Sequence, residues 1–313
     1  KQEGYANNFV GLLESYEREI DSLVSVGYKA SNETNYKWNA LVNNTVYSKF
    51  RPPSGKGVTA VVNPLMTTTW GQGAPYNAYC PSDGAGPGGN VWAGCVATAL
   101  AQILHYNYSD QSAFEGVGSY SYQSGGYPVT SADFGNTSYD MTVMPNTVDN
   151  ISDPGASEIA TLTYHAAVGC RAMWGAGSTG VMFSPDGAYI LGDYPQLAIL
   201  QNYLPMAASA KWVIKSDYTD SEWNTLLQNE LLNDRVICYR GSGSLNHAWV
   251  CDGVDANDMY HFNFGWDGDY NGYFALSAIN PGGQILNGDQ MAMIGLSPND
   301  GSTITSNTTW STN

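Results

Sequence analysis

Cys95 stands where a cysteine can become a nucleophile. Upstream, Gly84-Ala85-Gly86-Pro87-Gly88-Gly89-Asn90 cannot form the interior of a helix or strand. Downstream, Val96, Ala99, Leu100, Ile103 and Leu104 recur at helical spacing, which places Cys95 in the first turn of a helix. Unpaired backbone N–H groups and the positive end of the helix dipole gather there, and both favour a thiolate over a thiol. The plain alternative is a small buried apolar residue, as most cysteines are.

A thiol nucleophile needs a base, and the base needs an orienting partner. Four histidines are available, His105, His165, His247 and His261. His105 lies about three turns along the same helix, at roughly 1.5 Å per residue, and is too distant to serve. His165 sits beside Ala166 and Ala167 in a helical pattern and reads as structural. His247 follows the flexible Gly241-Ser242-Gly243-Ser244 turn at the start of a strand. His261 lies mid-strand in Tyr260-His261-Phe262-Asn263-Phe264, where alternation puts His261 and Asn263 on one face and the aromatic residues on the other. On these grounds His247 and His261 remain tied.

The elements that must position these groups follow from the pattern. Residues 8–25 carry Phe9, Leu12, Leu13, Tyr16, Ile20, Leu23 and Val24 on one face, an amphipathic helix. Arg51-Pro52-Pro53-Ser54-Gly55-Lys56-Gly57 reads as a linker open to proteolysis. Residues 108–155 predict long loops with short helices. Further helices are predicted around Ile159–Ala167 and over 196–204, and Ser221-Glu222-Trp223-Asn224 opens another. Short aromatic and aliphatic runs at 235–239, 247–251, 259–264, 272–276 and 291–296 then predict an antiparallel sheet. Helices first and strands last make the fold class α+β.

The 313 residues suffice for a sizeable core, and 43% hydrophobic content is that of a globular protein without a membrane span. Twelve basic against 28 acidic residues give a net charge of -16, which argues against nucleic acid as a partner. The five cysteines, Cys80, Cys95, Cys170, Cys238 and Cys251, form no CxxC pair, and His247, Cys251 and His261 match no common zinc spacing. No metal or cofactor is expected. Gly175-Ala176-Gly177-Ser178-Thr179-Gly180 fits a phosphate-cradling loop by letter, but no helix pattern follows it, so that reading is set aside.

Four blocks occur in one order: Trp70-Gly71-Gln72-Gly73-Ala74-Pro75-Tyr76-Asn77, Gly94-Cys95-Val96-Ala97-Thr98-Ala99-Leu100-Ala101-Gln102, His247-Ala248-Trp249-Val250-Cys251-Asp252-Gly253 and Asn263-Phe264-Gly265-Trp266-Asp267-Gly268. Together they resemble the signature segments of the streptopain family of bacterial cysteine peptidases, peptidase family C10. The resemblance implies a papain-like fold of two lobes, with the nucleophile on a helix of one and the base on the sheet of the other. By motif matching, Cys95 would be the nucleophile and His247 the base. Gln72 would donate to the oxyanion, Asn263 would orient the imidazole and Trp266 would cover that contact. The loop carrying Gly175, Gly177, Ser178 and Gly180 would border the substrate cleft.

Two positions depart from the family pattern: Phe264 stands where a second tryptophan is usual, and Asn246 where a glycine precedes the histidine. The resemblance further implies protein or peptide substrates, a zymogen whose pro-region inhibits it, and a secreted or otherwise extracytoplasmic bacterial location. On that reading residues 1–56 are a helix and linker left from a pro-region, 57–298 the catalytic domain and 299–313 a polar tail. The rival for 1–56 is a packed N-terminal helix of the catalytic unit. Rivals for the function are a binding or adhesion protein on the same scaffold, and another thioester-based acyl transfer such as an amidase or transglutaminase-like reaction.

Overall fold

The computed structural model describes residues 61–182, 195–204, 206 and 210–298. The helix expected over 8–25, the linker and the polar tail all lie outside these residues. In chain order the elements are α1 (Cys95–Tyr108), β1 (Phe114–Glu115), β2 (Ser119–Tyr122), β3 (Thr130–Asp133), β4 (Ser138–Tyr139), α2 (Ala156–Gly169), α3 (Pro195–Asn202), β5 (Lys211–Ile214), α4 (Asp220–Leu231), β6 (Ile237–Ser242), β7 (His247–Val254), β8 (Tyr260–Asn263), β9 (Gly272–Phe274) and β10 (Gly288–Ile294).

Helix α1 is apolar on nearly every side, and residues 96–104 are all buried, so it runs through the interior. It packs against α2 and β7. Small residues allow close approach: a Cβ on Gly169 at the end of α2 would come within 2.3 Å of the Ile199 side chain on α3. Helix α4 begins at Asp220, one residue before the predicted start. Thr219 and Glu222 form a reciprocal capping box, with Thr219 N–H donating to Glu222 Oε2 (2.9 Å) and Glu222 N–H to Thr219 Oγ1 (3.3 Å).

The six-stranded antiparallel sheet has the order β5-β10-β6-β7-β8-β9. Alternation sends its side chains into two cores. Cys238, Ala248, Val250 and Met293 join the core around α1. Tyr239, Trp249, Cys251 and Ala292 join an aromatic core closed by Trp223, Leu227 and Leu231 of α4. The papain-like α+β class is thus realised with the sheet lying between helix α1 and helix α4.

Two regions differ from the sequence expectation. Residues 108–155 hold two small antiparallel ladders, β1–β4 and β2–β3, with 3₁₀ turns at Phe134–Asn136 and Met141–Val143. Those strands are two to four residues long, too short for alternation to register. Strand β5 also lies outside the predicted runs: it is only four residues long, and its Lys-Trp-Val-Ile sequence shows no clean alternation. Among the described residues no helix is long and apolar enough to cross a membrane.

Candidate active site

Cys95 is the first residue of α1 and is partly exposed. The residue before it must be glycine on two counts: Gly94 has φ of 95°, and a Cβ there would lie 3.1 Å from Thr179 Cγ2 and 3.2 Å from the Thr179 carbonyl. Backbone N–H groups of Ala248, Val96 and Cys95 reach the sulfur and, with the Arg240 charge, favour its thiolate. Burial outweighs them and pushes the thiol pKa up. The helix terminus therefore acts in the expected direction without being decisive, because the site is also poorly solvated.

His247 opens β7 and is 5% exposed. Burial pushes its pKa down to about 4, opposed by its hydrogen bond to the Phe264 carbonyl. That bond, Nε2 to Phe264 O at 2.8 Å, fixes the tautomer: Nε2–H donates, which leaves Nδ1 as the acceptor of the neutral ring. Trp266 lies over the imidazole with ring centroids 4.7 Å apart, and Trp249 and Phe264 stack near it at 5.9 and 6.3 Å. Phe264 is fully buried among these rings, so a smaller residue at the departing position still fills the space.

Asn263 does not orient the imidazole directly. Its amide donates to the Thr68 carbonyl (2.6 Å) and to Gln102 Oε1 (3.0 Å), while its Oδ1 accepts from Gly265 N–H (3.1 Å). As the last residue of β8 it faces α1, and the chain then turns at Gly265, whose φ is 67°. The turn presents the Phe264 carbonyl to His247. Asn263 thus holds the loop that supplies the acceptor.

Gln72 donates from Nε2 to the Gly265 carbonyl (3.3 Å), so it is tied to the same loop, and its own carbonyl accepts from Ala93 N–H (2.9 Å). A cavity of about 290 Å³ is bounded by Cys95, His247, Arg240, Asn246 and residues 178–181. Ser178 and Gly180 line it together with Thr179 and Val181; Gly175 and Gly177 do not. Gly175 instead closes the loop, exchanging hydrogen bonds with Thr179 Oγ1.

The remaining histidines are committed elsewhere. His165 Nδ1 meets the Tyr139 hydroxyl at 2.7 Å inside the helical core, and burial lowers its pKa to about 4. His105 packs on Trp70 at 5.1 Å. His261 Nδ1 pairs with Asp252 Oδ1 at 2.6 Å, and Asp252 Oδ2 also accepts from Met66 N–H (3.0 Å). This separates the two strand histidines that spacing left tied: His247 shares a cavity with Cys95, while His261 anchors the segment that leads to Gln72.

A protein-family model described as the peptidase C10 family matches residues 70–274. The chain belongs to that family. Relatives include the thiol protease/hemagglutinin PrtT of Porphyromonas gingivalis, 29% identical over 242 residues, and streptopain of Streptococcus pyogenes, 28% identical over 253 residues. Each alignment takes in 73% of this chain but spans only 26% of the first protein and 60% of the second. Active interpain A of Prevotella intermedia, a cysteine protease, superposes with a TM-score of 0.67 at 29% identity, covering 79% of this chain and 99% of that one. A mutant prointerpain A fragment gives 0.64 at 28% identity, covering 85% and 81%.

Three participants escaped the residue-level reading of this C10 chain. Gln102 accepts from the Thr68 hydroxyl (2.9 Å), Trp70 N–H (3.3 Å) and Asn263. Its signal was present in the sequence: a long polar residue seven positions after Cys95, two turns along a helix whose residues 96–104 are all buried. The Ala248 N–H and the Phe264 carbonyl are backbone groups and leave no such mark. Among the described residues no group of three or more His, Cys, Asp or Glu side chains could hold a metal.

Proposed function

We propose that this chain carries the catalytic unit of a secreted cysteine endopeptidase, made as a zymogen, which cleaves proteins through a thioester acyl-enzyme. The observation that carries the reading is the shared cavity of Cys95 and His247, with the imidazole tautomer set by the Phe264 carbonyl. Because burial disfavours each ion alone, the thiolate and imidazolium form together, by transfer of the Sγ proton to Nδ1. Sulfur then adds to the scissile carbonyl carbon. The developing oxyanion takes hydrogen bonds from the Cys95 N–H and from the second N–H of the Gln72 amide, whose first is held by Gly265. The imidazolium returns its proton to the leaving amine, and water activated by the same nitrogen hydrolyses the thioester.

Protein substrates follow from the cysteine proteases among the relatives. Zymogen synthesis is supported by the pro-form of interpain A, and we assign residues 1–56 to the end of a pro-region, 57–298 to the catalytic domain and 299–313 to a tail. An extracytoplasmic location is supported by the bacterial relatives and by the low content of charged residues, 13%.

The test is labelling at neutral pH with an epoxide cysteine-peptidase inhibitor, read by intact mass and peptide mapping on the chain and on His247→Ala, together with casein cleavage. One adduct on Cys95 that His247→Ala loses, with cleavage of casein, is the expected result. No adduct on the chain, before or after trimming near Lys56, would sink the peptidase reading and leave a scaffold without turnover. Labelling without cleavage of any protein would point to another acyl transfer at the same pair.

A further inference from the structure

Helix α1 carries a polar stripe through an apolar core. Among its buried residues 96–104 the polar side chains are Thr98 and Gln102. Cys95, Thr98 and Gln102 follow one another at spacings of three and four, which puts them on one face of the helix. Both side chains behind the thiol reach the segment that carries Gln72. Thr98 Oγ1 donates to the Gly71 carbonyl (3.3 Å), and Gln102 Oε1 accepts from the Thr68 hydroxyl (2.9 Å) and the Trp70 N–H (3.3 Å).

The same Gln102 oxygen accepts from Asn263 Nδ2 (3.0 Å), and Gln102 Nε2 faces Asn263 Oδ1 at 3.5 Å. A backbone N–H only donates, so Trp70 fixes which end of the Gln102 amide is oxygen, and Gly265 N–H does the same for Asn263 (3.1 Å). Asn263 Nδ2 also donates to the Thr68 carbonyl (2.6 Å), which closes a ring of bonds between helix, segment and turn. Gln72 is thereby held at both ends. Its main chain lies two residues beyond Trp70, and its Nε2 donates to the Gly265 carbonyl (3.3 Å), in the turn that Asn263 holds. Both routes lead back to Gln102.

We propose that Gln102 is a positioning residue for the reaction: it sets the place of the Gln72 amide, so that the second N–H of that amide meets the oxyanion. Thr68, Trp70 and Asn263 present three donors to one buried oxygen, and an apolar side chain of similar size leaves all three unpaired. Those donors then find other partners by shifting, and a displacement of about 1 Å costs up to about 10²-fold in rate. The inference rests on the reading of Gln72 as oxyanion donor and adds the residue that places it.

The experiment is a double-mutant cycle of Gln102→Met and Gln72→Ala, read as kcat and KM on one peptide substrate, with epoxide labelling of Cys95 in each variant to show that the site is kept. Gln102→Met should lower kcat about 10- to 100-fold with KM within about twofold, and should cost less than about threefold once Gln72 is replaced. A loss of kcat as large in Gln72→Ala as in wild type overturns the proposal, as does an unchanged kcat in a labelled Gln102→Met. If Gln102→Met does not label, Thr68→Val, which removes one donor to the same oxygen, takes its place in the cycle. A loss of kcat of about threefold or more that vanishes in Gln72→Ala then supports the proposal, and no loss or an additive one overturns it. Gln72→Ala with wild-type kcat removes the oxyanion reading and this proposal with it, and wild-type protein that neither labels nor cleaves removes the peptidase reading beneath both.

Discussion

The two faces of the sheet are built differently, and each buries one histidine. The core around α1 is rich in small residues, Ala93, Ala97, Ala99, Ala101, Ala166 and Ala167, which let helices approach closely. The opposite core is aromatic, with Trp223, Tyr239, Trp249, Tyr260, Phe262 and Phe264. His165 belongs to the first and His247 packs its ring on the second, and burial lowers both to about 4. His165 is sealed against the Tyr139 hydroxyl, whereas His247 shares a cavity with Cys95. A perturbed titration therefore does not by itself mark a catalytic group; access to a nucleophile does.

The sharpest way to break this comparison is to remove each ring. His247→Ala should lower kcat/KM by about 10⁴-fold or more, while a conservative change at His165 leaves the reaction intact. Equal losses in the two, measured on one peptide substrate, would erase the distinction. Gln72→Ala should cost about 10²- to 10³-fold, mostly in kcat, because its amide is asked to meet charge that exists only in the transition state.

The pH dependence sharpens the same contrast. An imidazole takes its proton at 6.5 in the unfolded chain and only at about 4 in either folded site. The contribution to stability is full above 6.5, shrinks as pH falls through that window, and is gone below 4. For His165 the window is worth about 3 kcal/mol. His165→Gln should therefore flatten urea-unfolding stability between pH 6.5 and 4 without moving the acid limb of kcat/KM. That limb belongs to His247, which must be unprotonated to act as base, and it should fall near pH 4. A limb near 6.5 would show that His247 is far better solvated than its surroundings indicate. The smallest effect is expected at the capping box, where Thr219→Ala should cost about 1 kcal/mol by thermal denaturation and spare activity, since α4 packs its Trp223, Leu227 and Leu231 into the aromatic core.

Much of the site could be read along the chain because the relevant signals are local. Glycine before Cys95 and helical spacing after it placed the thiol at a helix start, and the change of period to two announced the sheet. Asn263 shows where that reading stops. Its type suited an orienting amide, yet the structure spends both its polar ends on Thr68, Gln102 and Gly265. The imidazole's partner is a main-chain carbonyl, a group every residue carries and no sequence distinguishes.

The sequence by itself determined the α+β class, the helix that opens at Cys95, the strand that opens at His247 and, through the four motif blocks, the family. Those depend on periodicity and residue type over short spans. Tertiary structure alone decided that β10 enters the sheet between β5 and β6, and that the imidazole of His247 meets the Phe264 carbonyl while Asn263 is spent on Thr68, Gln102 and Gly265. These outcomes depend on which face of which strand meets which helix, and long-range pairing sets that while local spacing leaves it open.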